Sequence, residues 1–413
     1  MPSVLGICLA IGGTCFAAYK VDANEKMPDP CRARNWPVPF IALRWRAYMS
    51  AWLSQNQAKL QFGLRMTLAA LVSYALGEAL GLAQTYWAVL SAVIVIQGSV
   101  GGSLKAGINR LIGTVGGAVW GAAVSILIPH NDVLALGAAL LTAIAPLAIV
   151  TGFKPDYRVA PITAIIVLMG TVLMQTDPVS SALSRVFEIS LGSVIAIAVA
   201  LFILPARAYR LLARSASAAL SAMAGMMSML AAARGSGANA EDLFNVQSRI
   251  RVAIAQAETR ADEAKVERSN RLAAGPDPER LARTLRRLRH DHAMLARALG
   301  TPFSIVIRER VEASLAATLA ALAVWMSAAG KALAGGKCAP PLTAVHAAME
   351  GYKAAVAGSG QEALTYRTGT DDTQRVFALL FLFEQMLQNL QDLADRTAEL
   401  AGFENAASGR PVS

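Results

Sequence analysis

Residues Val133–Phe153 read VLALGAALLTAIAPLAIVTGF, a run without one charged side chain. It is long enough to cross a bilayer as a helix, which takes about 20 apolar residues. Five further apolar runs surround it: Leu64–Leu82, Tyr86–Ser99, Arg110–Ile128, Val159–Met174 and Val186–Leu204. The breaks carry Gln84, Lys105, His130-Asn131-Asp132, Lys154-Pro155-Asp156 and Asp177-Pro178. In hydrocarbon every backbone polar group must be bonded within its own segment, so these runs are read as helices. A closed barrel would alternate apolar and polar residues, and these do not.

Outward from this block the chain changes character. Charged residues are 16% of the 413 and the mean hydropathy is +0.44, against about 25% charge in soluble domains. Charges are scarce from Leu60 to Leu204 and frequent from Arg207 to Glu404. The reading is all-α: a six-helix transmembrane bundle over 59–205, then a cytoplasmic α-helical bundle domain over 206–413. Ahead of both, 1–58 holds a marginally spanning apolar stretch, Val4–Tyr19, and a linker, Asp22–Pro39, with Pro28, Pro30, Pro37 and Pro39. Residues 1–48 are expected to be dispensable.

Basic residues in short loops orient such bundles. Lys59 and Arg65 precede the first helix, Lys105 and Arg110 lie between the second and third, and Lys154 and Arg158 between the fourth and fifth. Arg207, Arg210 and Arg214 follow the sixth. The alternate loops have almost none, which puts the amino-terminal side of the core and the carboxyl half inside. That placement also accounts for the net charge of +10 and argues against nucleic acid as a partner. Cys8, Cys15, Cys31 and Cys338 have neither metal-ligand spacing nor disulfide density.

The second half reads as helices over Ser215–Ala233, Glu241–Leu272, Glu279–Leu299, Ile305–Ala334, Ala339–Val356 and Asp372–Leu400. Ala313–Gly330 is uncharged but weakly hydrophobic, and is taken as a buried bundle helix. Met223, Met226, Met227 and Met229 are read as core filling.

No catalytic constellation stands out, so no enzyme activity, cofactor or metal is expected. His290-Asp291-His292 is the best metal-like cluster, but neighbours two apart on a helix face different sides, and a solvated face is the reading. The informative residues are ionisable groups near membrane depth, which are costly there. They are Arg65, Glu78, Lys105, Arg110, Lys154, Asp156, Arg158, and the pair Arg185 and Glu188 three apart. Gly113, Gly117 and Gly121 make two overlapping GxxxG steps suited to close helix packing. Six helices also split into two threes that would insert with opposite orientations. The second and fifth are the two shortest, a pattern that points to binding sites in inverted-repeat transporters.

Three strings carry a resemblance: Tyr86-Trp87-Ala88-Val89-Leu90-Ser91-Ala92, Gly101-Gly102-Ser103-Leu104-Lys105-Ala106, and Arg110-Leu111-Ile112-Gly113-Thr114-Val115-Gly116-Gly117-Ala118. With Pro161-Ile162-Thr163-Ala164 and Leu204-Pro205-Ala206 they resemble the fusaric acid resistance protein-like family, which includes bacterial aromatic acid exporters and is related to plant aluminium-activated malate transporters. The resemblance implies an inner-membrane protein that exports carboxylate-bearing compounds, or a passive anion channel. Many such exporters carry two membrane halves; this chain carries one, so a homodimer would complete the pathway. On this reading Arg65, Lys105, Arg110, Lys154 and Arg158 attract a small organic anion, and Glu78 or Asp156 couples it to protons. A membrane-anchored scaffold with a cytoplasmic interaction domain is the alternative from another class.

Overall fold

The computed structural model describes residues 10–11, 14–15, 38–128, 132–174, 177–235, 237–357 and 370–408. Most of Val4–Tyr19 and of the Asp22–Pro39 linker lies outside them. The chain divides into two compact units, Met1–Leu60 and Gln61–Ser413. The first holds a two-stranded antiparallel ladder, β1 (Ala10–Ile11) with β2 (Thr14–Cys15), and the opening of helix α1 (Val38–Ala79). Pro39 sits in the first turn of α1, where a missing N–H costs nothing.

In the second unit the apolar block continues as α2 (Tyr86–Val95), α3 (Val100–Leu127), α4 (Val133–Phe153), α5 (Val159–Met174) and α6 (Pro178–Phe202). Three helices start earlier than their apolar runs, α1 at Val38 rather than Leu64 and two others. Helix α3 begins at Val100 rather than Arg110, because extended Ser99 is its N-cap and accepts a hydrogen bond from the Gly102 N–H at 2.9 Å. Lys105 and Arg110 therefore lie on a helix and not in a loop. Helix α6 begins at Pro178 rather than Val186, capped by the Asp177 carboxylate on the N–H groups of Val179 and Ser180. Arg185 and Glu188 are thus two turns inside it.

Helix α3 packs along α5 and α6, and α2 packs along α6. Glycines make these approaches close. A Cβ on Gly117 would lie 2.1 Å from the Ala160 carbonyl oxygen of α5, and one on Gly192 would lie 2.0 Å from the Ala88 carbonyl oxygen of α2. Both helix pairs therefore touch backbone to backbone.

The remaining helices are α7 (Ala208–Ala233), α8 (Ala240–Ser269), α9 (Pro278–Leu299), α10 (Ile305–Ala334), α11 (Thr343–Ala357) and α12 (Thr370–Ser408). They share one apolar core. Met223, Met226 and Met227 of α7 meet Leu315, Leu319 and Leu322 of α10 within it, all fully buried. Seven described helical segments are long and apolar enough to cross a membrane. Five of the six expected runs are among them; α2, with 10 residues, is too short, and α7 and α10 qualify as well.

The His290-Asp291-His292 cluster is not the solvated face expected of it. His290 is exposed, but Asp291 and His292 turn into the core. Asp291 accepts from the Asn389 amide at 2.7 Å, and His292 Nδ1 lies 2.7 Å from the Leu288 carbonyl. No cluster of metal-ligating residues occurs among the described residues. Burial pushes the His292 pKa down to about 4 from an ordinary 6.5, so the folded state holds it neutral. Its contribution to stability is complete above pH 6.5 and is lost as the pH falls towards 4. The shift corresponds to on the order of 3 kcal/mol. Thermal melts of wild type and His292→Leu should therefore diverge through that window, the wild type losing more; parallel curves would refute this.

Candidate functional site

Two arginines are buried in the apolar block without an acid. Arg65 on α1 is 1% exposed. Its Nε donates to the Gln61 carbonyl at 3.3 Å and Nη2 to the Gly98 carbonyl at 3.4 Å, while Nη1 has no partner. Arg110 on α3 is 7% exposed, and its Nε donates to Ser91 Oγ of α2 at 2.8 Å. That hydroxyl also lies 2.9 Å from the Ile189 carbonyl and 3.0 Å from Ser193 Oγ, both on α6. Neither guanidinium forms an ion pair among the described residues. One turn beyond Arg110, the Thr114 hydroxyl is fully buried and unpartnered. Burying a charge without a counter-charge costs several kcal/mol, so each guanidinium is a point of positive potential chemically suited to an anion.

The third buried arginine is neutralised. Arg185 Nη1 is 2.9 Å from the Glu188 carboxylate, with both side chains nearly inaccessible. Arg185 also donates to Gln84 Oε1 and lies 4.9 Å from the Trp87 ring centre, a cation–π distance. This is the i,i+3 pair that the sequence offered.

A second group of acids holds the start of α3. Glu267 of α8, 2% exposed, accepts from the Gly101 N–H at 2.9 Å and from the Ala208 N–H at 3.0 and 3.1 Å. One carboxylate thus caps the positive ends of two helices, α3 and α7. Burial raises its pKa, and the two backbone hydrogen bonds pull it back down. One turn earlier Glu263 accepts from Ser99 Oγ at 2.7 Å and is paired with Arg260 at 2.8 Å. A Cβ on Gly101 would sit 2.1 Å from the Glu263 carbonyl oxygen, so only glycine admits α8 here. Nothing in the sequence marked these acids, since acids four apart on a charged helix usually face water.

Of the residues expected to attract an anion, Arg65 and Arg110 are brought into the interior, Arg65 against the Gly98 carbonyl between α2 and α3 and Arg110 against Ser91 of α2. Lys105, Lys154 and Arg158 are exposed on the chain. The expected coupling acids, Glu78 at the end of α1 and Asp156 in the 3-10 turn before α5, are exposed as well.

Residues 68–199, from the middle of α1 to the end of α6, match the family described as fusaric acid resistance protein-like. This apolar segment is similar to that family. The fusaric acid resistance protein-like segment contains Arg110, Ser91, Arg185 and Glu188, whereas Arg65 and the α8 acids lie outside the match. A comparison with curated proteins gives no match. The chain is accordingly a membrane protein of transporter-like helical type.

Proposed function

We propose that the chain exports small organic anions, aromatic carboxylates among them, across the bacterial inner membrane as a homodimer. The observation that carries this reading is the pair of buried, acid-free guanidiniums, Arg65 and Arg110. A fixed positive charge inside hydrocarbon is stabilised when a mobile anion visits it, and a path for anions is where such charges are found. Lys105, Lys154 and Arg158 then collect the substrate at the cytoplasmic mouth. Six helices, α1 to α6, form the membrane domain. Helices α7 and α10 belong to the cytoplasmic bundle, because they share one core with the charged helices α8 and α9, which have no place in lipid. The contact of α8 with the first turn of α3 supports a bundle on the Lys105 side, which the basic residues favour as the inside.

Arg110→Gln should abolish phthalate flux from proteoliposomes while the protein remains monodisperse with an unchanged melting temperature. Unaltered flux would overturn the basic-path reading. A flux that ignores the proton gradient would make the path a passive channel, and no carboxylate flux at all in the wild type would favour a scaffold.

A further inference from the structure

The packing of α1–α6 contains a relation between its halves that short helices alone only hinted at. Arg110, Gly117, Val119, Ala123 and Val124 of α3 recur in the same order and spacing as Arg185, Gly192, Val194, Ala198 and Val199 of α6. Likewise Ala88, Ser91 and Ala92 of α2 correspond to Ala160, Thr163 and Ala164 of α5. The contacts obey the same correspondence. Gly117 approaches the Ala160 carbonyl, and its counterpart Gly192 approaches the Ala88 carbonyl at nearly the same distance. Gly107 meets Ile197, and their counterparts Ala182 and Ala122 share one apolar cluster. Early α3 thus meets late α6 and late α3 meets early α6, so the two cross antiparallel near Thr114 and Ile189. Exchanging the halves leaves the pairings α2 with α6 and α3 with α5 unchanged as a set.

We infer that α1–α3 and α4–α6 are an inverted repeat, and that Arg185 is a second anion station, the outward counterpart of Arg110, held shut by Glu188. This rests on the transport reading above and deepens it. Each arginine stands four residues from the crossing on its own helix, about 6 Å along the axis, one towards each side of the membrane. The halves differ at one telling position: Glu188 stands where α3 has Gly113. Among the described residues the inner arginine donates to a hydroxyl, Ser91, and forms no ion pair, whereas the outer one is occupied by a built-in carboxylate at 2.9 Å. A substrate carboxylate leaving Arg110 must displace Glu188, and protonation of Glu188 frees Arg185, Gln84 and the Trp87 face to receive it. The elements packed on α6 present few other ionisable groups: α2 has Tyr86, α5 has none, α3 has Lys105 and Arg110, and α1 beyond Leu60 has Arg65, Tyr74 and Glu78. Among the described residues Glu188, not exposed Glu78 or Asp156, is the acid buried in the block.

The test uses the full chain in liposomes with phthalate and succinate as probes, with and without an imposed pH gradient. Wild type should accumulate a probe against its gradient when the pH gradient is present. Glu188→Gln should lose that accumulation and keep downhill flux, and Arg185→Gln/Glu188→Gln, which buries no net charge, should fold and lose both. Gradient-driven accumulation surviving in Glu188→Gln, or unchanged downhill flux in the double variant, would overturn the second station while leaving the Arg110 path standing. Absence of any flux in the wild type would instead overturn the transport reading beneath it.

Discussion

Replacing Gly117 or Gly192 by alanine should leave little monodisperse protein in detergent, although each change adds one methyl group. The methyl carbon would lie 2.1 Å or 2.0 Å from a backbone carbonyl oxygen of the neighbouring helix, and no rotamer change relieves a clash with backbone. Either α3 must separate from α5 or α2 from α6. Overpacking a close-fitted site typically costs about 1–3 kcal/mol, and a backbone obstacle places these changes at the upper end. Helices in lipid also have only weak alternatives to close packing, since lipid tails are as apolar as their side chains. Gly116→Ala is the control, because nothing lies within 4 Å of its added carbon. Size-exclusion profiles and melting curves of the three variants decide the matter; equal behaviour of Gly116→Ala and Gly117→Ala would mean that the helices are not so close.

The second large effect is expected at Glu267. Glu267→Ala removes the acceptor for the Gly101 and Ala208 N–H groups, which are otherwise without the carboxylate that satisfies them. Leaving two buried donors unpaired costs on the order of 4 kcal/mol at about 1–3 kcal/mol each. The core shared by α7–α12 is untouched, so these helices should remain helical while the junction with α3 loosens. Limited proteolysis should cut near Leu204–Arg207 in the variant and not in the wild type, and anion flux should fall. Glu267→Gln keeps one acceptor oxygen and should sit between the two. Glu258→Ala, on the same helix but exposed and paired only at 3.5 Å with Arg286, should change the melting temperature little. An undisturbed junction in Glu267→Ala would refute the double cap.

Legibility in the sequence followed how strongly each residue type commits. Val133–Phe153 is apolar throughout, and its helix has those bounds. The first ten residues of α3 were not readable as helix, because Ser103 and Lys105 interrupt the apolar pattern and the cap at Ser99 is a tertiary arrangement. Arg110 drew attention as a charge near membrane depth, but its partner Ser91 did not, since a serine within an apolar run is ordinary. Arg185 and Glu188 were visible as a pair by spacing alone. The inward turn of His292 was not, as its neighbours Arg289 and His290 face outward and mask the apolar stripe of α9. The correspondence of α3 with α6 depends on a few small residues, and only their backbone contacts showed which glycine answers which.

The cap on α3 also has a mechanical meaning. Glu267 grips the tip of a single unbroken rod, and Arg110 rides on that same rod about 15 Å further along at 1.5 Å per residue. A helix resists compression far better than bending, so axial travel imposed at the grip reaches the guanidinium almost undiminished. Because the same carboxylate also grips the tip of α7, any rolling of the α7–α12 bundle becomes a stroke of α3. The bundle and the buried guanidinium are therefore connected as a crank is to a piston.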